Sequence, residues 1–327
     1  MRCSVNTVIR SAGVTLALSV LACAAFAQSY PERVVKFIVP FSAGGVSDVV
    51  SRPIAHRLGV IWGHQTIVEN RPGAGGMIGS DVVAKAKPDG YTLLLTGSTH
   101  FVGASLHHKT ITFHPIDDFT PIAHIAEQPG VLVVHPSVAA KSLAELIALA
   151  KSVPGKLNFA SSGNGSSQHL FAAMLFGMVG IELTHVPYKG SGPAMTDLLS
   201  GLVPVSVPSI SNAIPHIHGG KLRALGVTSA KRVGALPDVP TLDEAGAKGY
   251  DAQLWFAAVG PKGLPADIVN KVYESVAIAV RHPDVQKVYA QQGIDVRIMP
   301  PAEFAQYFKS ESVKWNRVVK DAGVSID

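Results

Sequence analysis

The chain has 327 residues, with 28 Lys and Arg against 23 Asp and Glu and a formal charge of +5. Hydrophobic residues make up 47% and charged residues 16%, with 31 Gly and 22 Pro, a composition that fits a loop-rich α/β protein and excludes a coiled coil, a disordered chain and a highly charged nucleic-acid binder. Arg2 and Arg10 carry part of the positive charge, so the bias of the remainder toward anions is weak.

Residues 1–27 read as a cleavable export signal. Two arginines precede an apolar run from Ala12 to Phe26, which closes on Ala25-Phe26-Ala27. The run is short for a membrane-spanning helix. Cys23, after Val20-Leu21-Ala22, offers lipid attachment as the alternative, although Leu21 stands where a small residue is preferred. Cys3 and Cys23 both fall here, so the chain beyond Ala27 would have no cysteine. That excludes thiolate catalysis and Cys-based zinc sites and is compatible with an oxidising compartment.

Beyond the signal, strands are predicted at Val34–Val39, Ile67–Glu69, Tyr91–Leu95, Val131–Val134, Lys156–Ala160, Leu183–Val186, Leu222–Thr228 and Leu254–Val259. Helical patterns run from Ser47 to Leu58, Met77 to Ala86, Leu143 to Lys151, Gln168 to Phe176, Ala194 to Leu199 and Ile268 to Val280. This alternation is the βαβ signature of mostly parallel sheets with helices on both faces. Residues 265–325 are expected to be mainly helical apart from Val296–Ile298, with Trp315 a packing anchor in an amphipathic closing helix. Two stretches, Ala126–Gly130 and Lys248–Gln253, suit crossings between two lobes. The first lobe would then be discontinuous, residues 31–129 plus 252–327, and the second would comprise residues 130–251. Two such crossings would form a hinge beside a cleft.

Three loops carry the chemistry. Phe41-Ser42-Ala43-Gly44-Gly45-Val46-Ser47-Asp48 sets several main-chain N–H groups at a helix start, a seat for a carboxylate or phosphate, or else simply a tight βα turn. It is neither a dinucleotide fingerprint nor a phosphate loop. Ser161-Ser162-Gly163-Asn164-Gly165-Ser166-Ser167-Gln168-His169 also opens a helix, as an anion site or as a Ser-rich cap. Thr96-Gly97-Ser98-Thr99-His100 is a third polar strand end. No nucleophile elbow is present, and His107-His108 and His216-Ile217-His218 do not match a metal motif. Asp117 and Asp118 read as turn and cap residues. Lys189 could neutralise an anion or stand solvated at its turn, and Tyr188 could wall the cleft.

The chain resembles the periplasmic solute-binding proteins of tripartite tricarboxylate transporters, the Bug or TctC-like receptors. The resemblance rests on Ile38-Val39-Pro40-Phe41-Ser42-Ala43-Gly44-Gly45 with Asp48, Val68-Glu69-Asn70-Arg71-Pro72-Gly73-Ala74-Gly75-Gly76, Pro88-Asp89-Gly90-Tyr91-Thr92-Leu93 and Asp117-Asp118-Phe119-Thr120-Pro121-Ile122. It continues through His185-Val186-Pro187-Tyr188-Lys189-Gly190, Lys221-Leu222-Arg223-Ala224-Leu225-Gly226-Val227-Thr228 and Leu236-Pro237-Asp238-Val239-Pro240-Thr241. It implies a type II, two-lobed periplasmic binding protein fold of class α/β, each lobe a sheet flanked by helices.

It further implies a receptor without enzymatic activity or cofactor. Such a receptor would capture a small organic acid or acidic amino acid between its lobes and deliver it to membrane permease subunits, as a monomer in the periplasm. Carried onto this sequence, the ligand residues would be Phe41, Ala43, Gly44, Gly45 and Asp48, with Ser98 and His100 at the third strand end. Ser162, Gly163, Gly165, Ser166 and His169 would follow from the second lobe, with Tyr188, Lys189 and Gly190 beside them. One departure stands out: Leu202-Val203-Pro204-Val205 puts Pro204 where relatives carry an acidic residue, which removes a carboxylate and an N–H and implies a different ligand preference. The alternatives are a secreted hydrolase using a serine of the 161–167 loop, recognisable by a positioned Ser-His-acid set, and an anion sensor for a signalling partner.

Overall fold

Two mixed sheets form the framework of the computed structural model, which describes residues 30–323. The expected export signal, with Cys3 and Cys23, lies outside the described residues. The first sheet has strand order β11-β4-β10-β3-β1-β2, with β1 at Val35–Val39, β2 at Thr66–Asn70, β3 at Thr92–Gly97, β4 at Phe119–Pro129, β10 at Gln253–Pro261 and β11 at Asp295–Met299. The second has order β7-β6-β8-β5-β9, with β5 at Val131–Val134, β6 at Asn158–Ser161, β7 at Thr184–Pro187, β8 at Val205–Ser206 and β9 at Arg223–Val227.

The helices are α1 (Val46–Trp62), α2 (Met77–Ala84), α3 (Thr99–Leu106), α4 (Leu143–Ser152), α5 (Ser167–Val179), α6 (Ser191–Ser200), α7 (Ile210–His218), α8 (Ala266–Val280), α9 (Pro283–Gln291) and α10 (Pro301–Asp321).

The expectation of mostly parallel sheets is corrected. β1 runs parallel to β2 and β3, and β6 parallel to β7 and β8, but β10 is antiparallel to β3 and β4, β11 to β4, and β5 to β8 and β9. The antiparallel partners are mainly the strands that carry the chain between the sheets, and a strand leaving a sheet edge must oppose those that arrive there. β4 and β8 are strands the sequence pattern did not predict. β4 carries His124, Glu127 and Gln128 in a buried position, and β8 is only two residues long, set between Pro204 and Pro208. Pro204 still contributes its carbonyl, which accepts the His135 N–H at 2.8 Å.

Period-two alternation sorts the core. Val35, Phe37, Val39, Leu93 and Leu95 face α1, α8 and α9, while Ile38, Leu94, Ala257 and Val259 face the opposite side with Phe101, Phe304 and Phe308. In the second sheet Leu132 and Val134 pack with Leu146 of α4 and Phe171 of α5, while Val131 and Val133 meet Leu198 of α6 and Ile210 of α7. Each fully buried side chain of this size stabilises the fold by about 1.5–3 kcal/mol.

The chain passes from the first sheet to the second at Gly130 and returns through Tyr250–Ala252. Thr228 ties the two passages together: its Oγ1 accepts the Gly130 N–H at 2.7 Å, its N–H donates to the Gly130 carbonyl at 3.0 Å, and its carbonyl accepts the Ala252 N–H at 3.0 Å. Among the described residues no helix is long and apolar enough to cross a membrane.

Candidate functional site

Strand direction decides where the loops go. β10 enters the first sheet beside the C-terminal end of β3, since Phe256 is the partner of Gly97, and β1 and β2 run parallel to β3. The loops after β1 and β3 therefore open on the same edge as the passage between sheets. In the second sheet Val133 pairs with Ser206 and Val134 with Val205, so β5 enters at the C-terminal end of β8, and β6 and β7 run parallel to β8. Its loops open toward the passage too. β1 lies two strands from β10, and β6 two strands from β5. Each loop is thus about 10 Å to one side of its crossing strand, and the space between belongs to the C-terminal strand ends where α/β folds hold ligands.

The first loop is held from behind. Gly44 has φ 80°, a left-handed conformation that favours glycine. Asp48, buried in the first turn of α1, accepts the Gly44 N–H at 2.9 Å, Arg52 Nε at 2.7 Å and Asn70 Nδ2 at 3.0 Å. Asn70 also donates to the Phe41 carbonyl at 2.9 Å and accepts from Arg52 Nη2 at 3.0 Å. Burial raises the Asp48 carboxyl, but the bonds from Arg52, Gly44 and Asn70 outweigh it and hold the group below the usual carboxylate range. Asp48 is accordingly spent on shaping the loop. Phe41 is half-buried over Gly76, while Ala43, Gly44 and Gly45 are exposed.

The second loop is built on two histidines. Ser166 caps α5 by accepting the His169 N–H at 3.3 Å. Gly165 donates its N–H to His169 Nδ1 at 3.2 Å, and Gly163 donates its N–H to Ser161 Oγ at 3.1 Å. Ser161 Oγ lies 2.6 Å from His185 Nε2. The 188–190 turn is stitched alongside, with Tyr188 N–H on the Ser161 carbonyl at 3.0 Å and Gly190 N–H on the Ser162 carbonyl at 3.1 Å. Burial and the neighbouring Asp197 push the Tyr188 phenol up to about 12, and its hydroxyl donates to Asp197 Oδ2 at 2.5 Å. Lys189 is exposed.

The structure brings Phe41, Ala43, Gly44 and Gly45 to one side of the passage and Ser162, Gly163, Gly165, Ser166, Tyr188, Lys189 and Gly190 to the other. Ser98 starts α3 at the same edge as the first loop, buried at 2% exposure. His100 is a correction. The first turn of α3 rotates it into the core, where Nε2 donates to the Pro115 carbonyl at 2.9 Å, Nδ1 lies 3.1 Å from Ser80 Oγ, and Phe101, Phe113, Phe119 and Phe308 surround the ring. His169 lies beneath its loop at 8% exposure. Sequence reading missed Arg52, Asn70 and His185. The i,i+4 spacing of Asp48 and Arg52 was a usable signal, and Asn70 and His185 lie inside the motifs quoted above.

Ser161 and His185 form a bonded pair of the kind a hydrolase would need, but Ser161 is fully buried and its Oγ is engaged by main-chain groups of its own loop. A recess of about 770 Å³ between Met174 and Met178 of α5 and Val313 and Arg317 of α10 lies toward the opposite end of α5 from the Ser/Gly loop.

The tripartite tricarboxylate transporter receptor family matches residues 50–324. The chain belongs to that family. The receptor is 36% identical over 316 residues to the protein BugT of Bordetella pertussis, covering 96% of this chain and 97% of BugT. Among solved structures it is similar to Rpa4515 of R. palustris with adipate, at 34% identity and TM-score 0.76, covering 90% of the receptor and 99% of that chain. It is also similar to MatC (Rpa3494) of Rhodopseudomonas palustris with bound malate, at 33% identity and TM-score 0.72, covering 89% and 100%. These neighbours share the α/β periplasmic binding protein architecture of two sheets flanked by helices.

Proposed function

We propose that the receptor is exported to the periplasm, captures a small organic carboxylate between two lobes and hands it to membrane permease subunits. The first lobe comprises residues 31–129 with 252–327, and the second residues 130–251. The observation that carries the reading is the convergence of loop-led helix starts, α1 from the first sheet and α5 and α6 from the second, on the edge where the chain passes between sheets. Helix N-termini leave main-chain N–H groups without intrahelical partners and favour negative charge. Such donors are already oriented, so a carboxylate can be held by them without a buried arginine. Closure of the lobes on the ligand would exclude water and present the permease with a shape distinct from the open form.

The ligands named for the two R. palustris structures, adipate and malate, make four- to six-carbon dicarboxylates the first class to test. Pro204, which lacks an acidic side chain, supports a preference different from that of relatives carrying a carboxylate there. The test is a thermal-shift and calorimetry panel of dicarboxylates, acidic amino acids and aromatic acids on ligand-stripped receptor. Saturable one-site binding that raises the melting temperature without turnover is expected, because a ligand that binds only the folded state stabilises it. No binding across the panel by a folded receptor would sink the carboxylate reading.

A further inference from the structure

His169 and His185 stack beneath the second loop with ring centroids 3.8 Å apart and planes 17° from parallel, and Phe159 of β6 stacks on His185 at 4.8 Å. Each ring spends a nitrogen on the loop, and the bonding partners fix the protons. Gly165 N–H can only donate, so His169 Nδ1 must be bare and its proton must sit on Nε2. Ser161 Oγ accepts the Gly163 N–H and lies 3.1 Å from the Gly163 carbonyl, which can only accept. All contacts are satisfied when Ser161 gives its hydroxyl proton to that carbonyl and His185 Nε2–H donates to Ser161 Oγ.

We propose that the His169–His185 pair is the positioning unit of the ligand loop: it turns the Gly163 and Gly165 amides inward and leaves those of Asn164, Ser167 and Gln168 as the donors that meet the ligand. This rests on the carboxylate-receptor reading and deepens it. Within the described residues the inward amides have partners inside the loop, whereas the N–H groups of Ser167 and Gln168 belong to the first turn of α5 and have no intrahelical acceptor. Gln168 adds a second sign. It is 6% exposed, and its Oε1 is buried without a partner, an acceptor for a hydroxyl of the ligand and not for its carboxylate.

The pair stays neutral where the receptor works. Burial, and then His185, hold His169 down to about 4, and burial lowers His185 as well. The facing groups agree: β7 contributes His185, β6 contributes Phe159 and Ser161, and α10 carries Lys314 and Arg317 across a recess from Ala173 and Met174, one turn further along α5. None of them is a carboxylate that would pair with an imidazolium, and the Phe159 ring and the Ser161 hydroxyl do not offset the burial.

The test is amide exchange and titration by NMR on uniformly 15N-labelled receptor at pH 7, with malate and adipate as probes. In the wild type, His169 shows the Nε2–H tautomer and the Gly165 amide is protected. On adding the acids, the Asn164, Ser167 and Gln168 amides shift while Gly163 and Gly165 hold. His169→Phe keeps the ring but removes the acceptor. It should speed Gly165 exchange and weaken probe binding by about tenfold each, the scale of one lost buried hydrogen bond. His169→Asn, whose Oδ1 can stand where Nδ1 stood, should recover both to within about threefold.

Unchanged Gly165 exchange in folded His169→Phe, or a ligand-induced shift concentrated on Gly163 and Gly165, overturns the proposal. Should both variants unfold, the wild-type tautomer and exchange pattern decide alone. Should neither acid nor any other carboxylate bind, the carboxylate reading fails, and the wild-type tautomer and Gly165 protection still decide whether the pair sets the loop.

Discussion

Asp48 shows how much of the first loop, which we propose binds the ligand, is held by a side chain the ligand need not touch. Three donors from Gly44, Arg52 and Asn70 converge on it. Asp48→Ala should destabilise the receptor by about 1–3 kcal/mol, discounted for the exposed Arg52, as measured by urea denaturation, and should weaken ligand binding more than any change at exposed Ala43. Buried histidines give a second prediction at this scale. Burial holds His100 and His124 each down to about 4, with the Pro115 and Arg297 carbonyls pulling weakly the other way. An unfolded histidine titrates near 6.5, so between those values the unfolded chain binds more protons. The stabilisation is complete above pH 6.5 and is lost as pH falls toward 4. Its loss should reach on the order of 2–3 kcal/mol per group and be visible as a falling denaturation midpoint across that window. In sequence, His100 closes a polar strand end and invites a site assignment. Its apolar neighbours Phe113, Phe119 and Phe308 are distant along the chain, so nothing local reveals that the helix turns it inward.

At the scale of elements, strands whose composition obeys the pattern were legible, and those serving two masters were not. The predicted cores of β1, β3, β5 and β10 match the structure to within a few residues, because short runs of Val, Ile, Leu and Phe bounded by turn residues have little else to become. β4 was invisible. Its Pro121 and Pro129 argue against a strand, yet both lie outside the part paired with β11, and Arg297 of β11 takes up its polar side chains, the carbonyl accepting His124 Nδ1–H at 2.6 Å and the guanidinium pairing with Glu127 at 2.7 Å, while His124 Nε2 stays buried without a hydrogen-bond partner. A polar pair whose partner lies far along the chain cannot be read as core. α3 and α7 escaped for a related reason, being short and introduced by residues that also suit turns. The pairing of β3 with β10 is the tightest junction. A Cβ placed on Gly97 would lie 2.0 Å from the Trp255 carbonyl oxygen. Gly97→Ala should therefore cost roughly 2–4 kcal/mol, because neither backbone can yield without breaking the ladder, and a drop in the urea midpoint at unchanged slope would register it.

For the whole molecule the decisive element is α10, which packs on β4 and α3 of the first sheet and on α5 of the second. Glu311 anchors it. Its Oε2 accepts both the Trp255 and the Trp315 indole N–H at 2.7 Å, Oε1 takes Lys314 at 3.1 Å, and Trp315 then lies 5.8 Å from Phe171 of α5. Glu311→Ala strands two buried indole donors and should lower stability by about 3 kcal/mol while changing the fluorescence of Trp255 and Trp315 together. Family membership was legible from ordered motifs spread along the chain, whereas this brace was not, since a glutamate on an amphipathic helix ordinarily faces water. The register of β4 with β10 has a consequence of a different kind. Pro129 and Gln253 are direct partners, so the chain leaves and rejoins the first sheet about 5 Å apart. Everything from 130 to 252 is then a cassette whose two chain ends share one place of attachment. Exchange of that cassette between relatives needs only two adjacent cuts, and the joints that must match include Trp315 on Phe171, Gly293 on Ile210 and Gln128 on Ser211. On the proposed division of the site, one half could be inherited without the other, provided the partner keeps those far contacts.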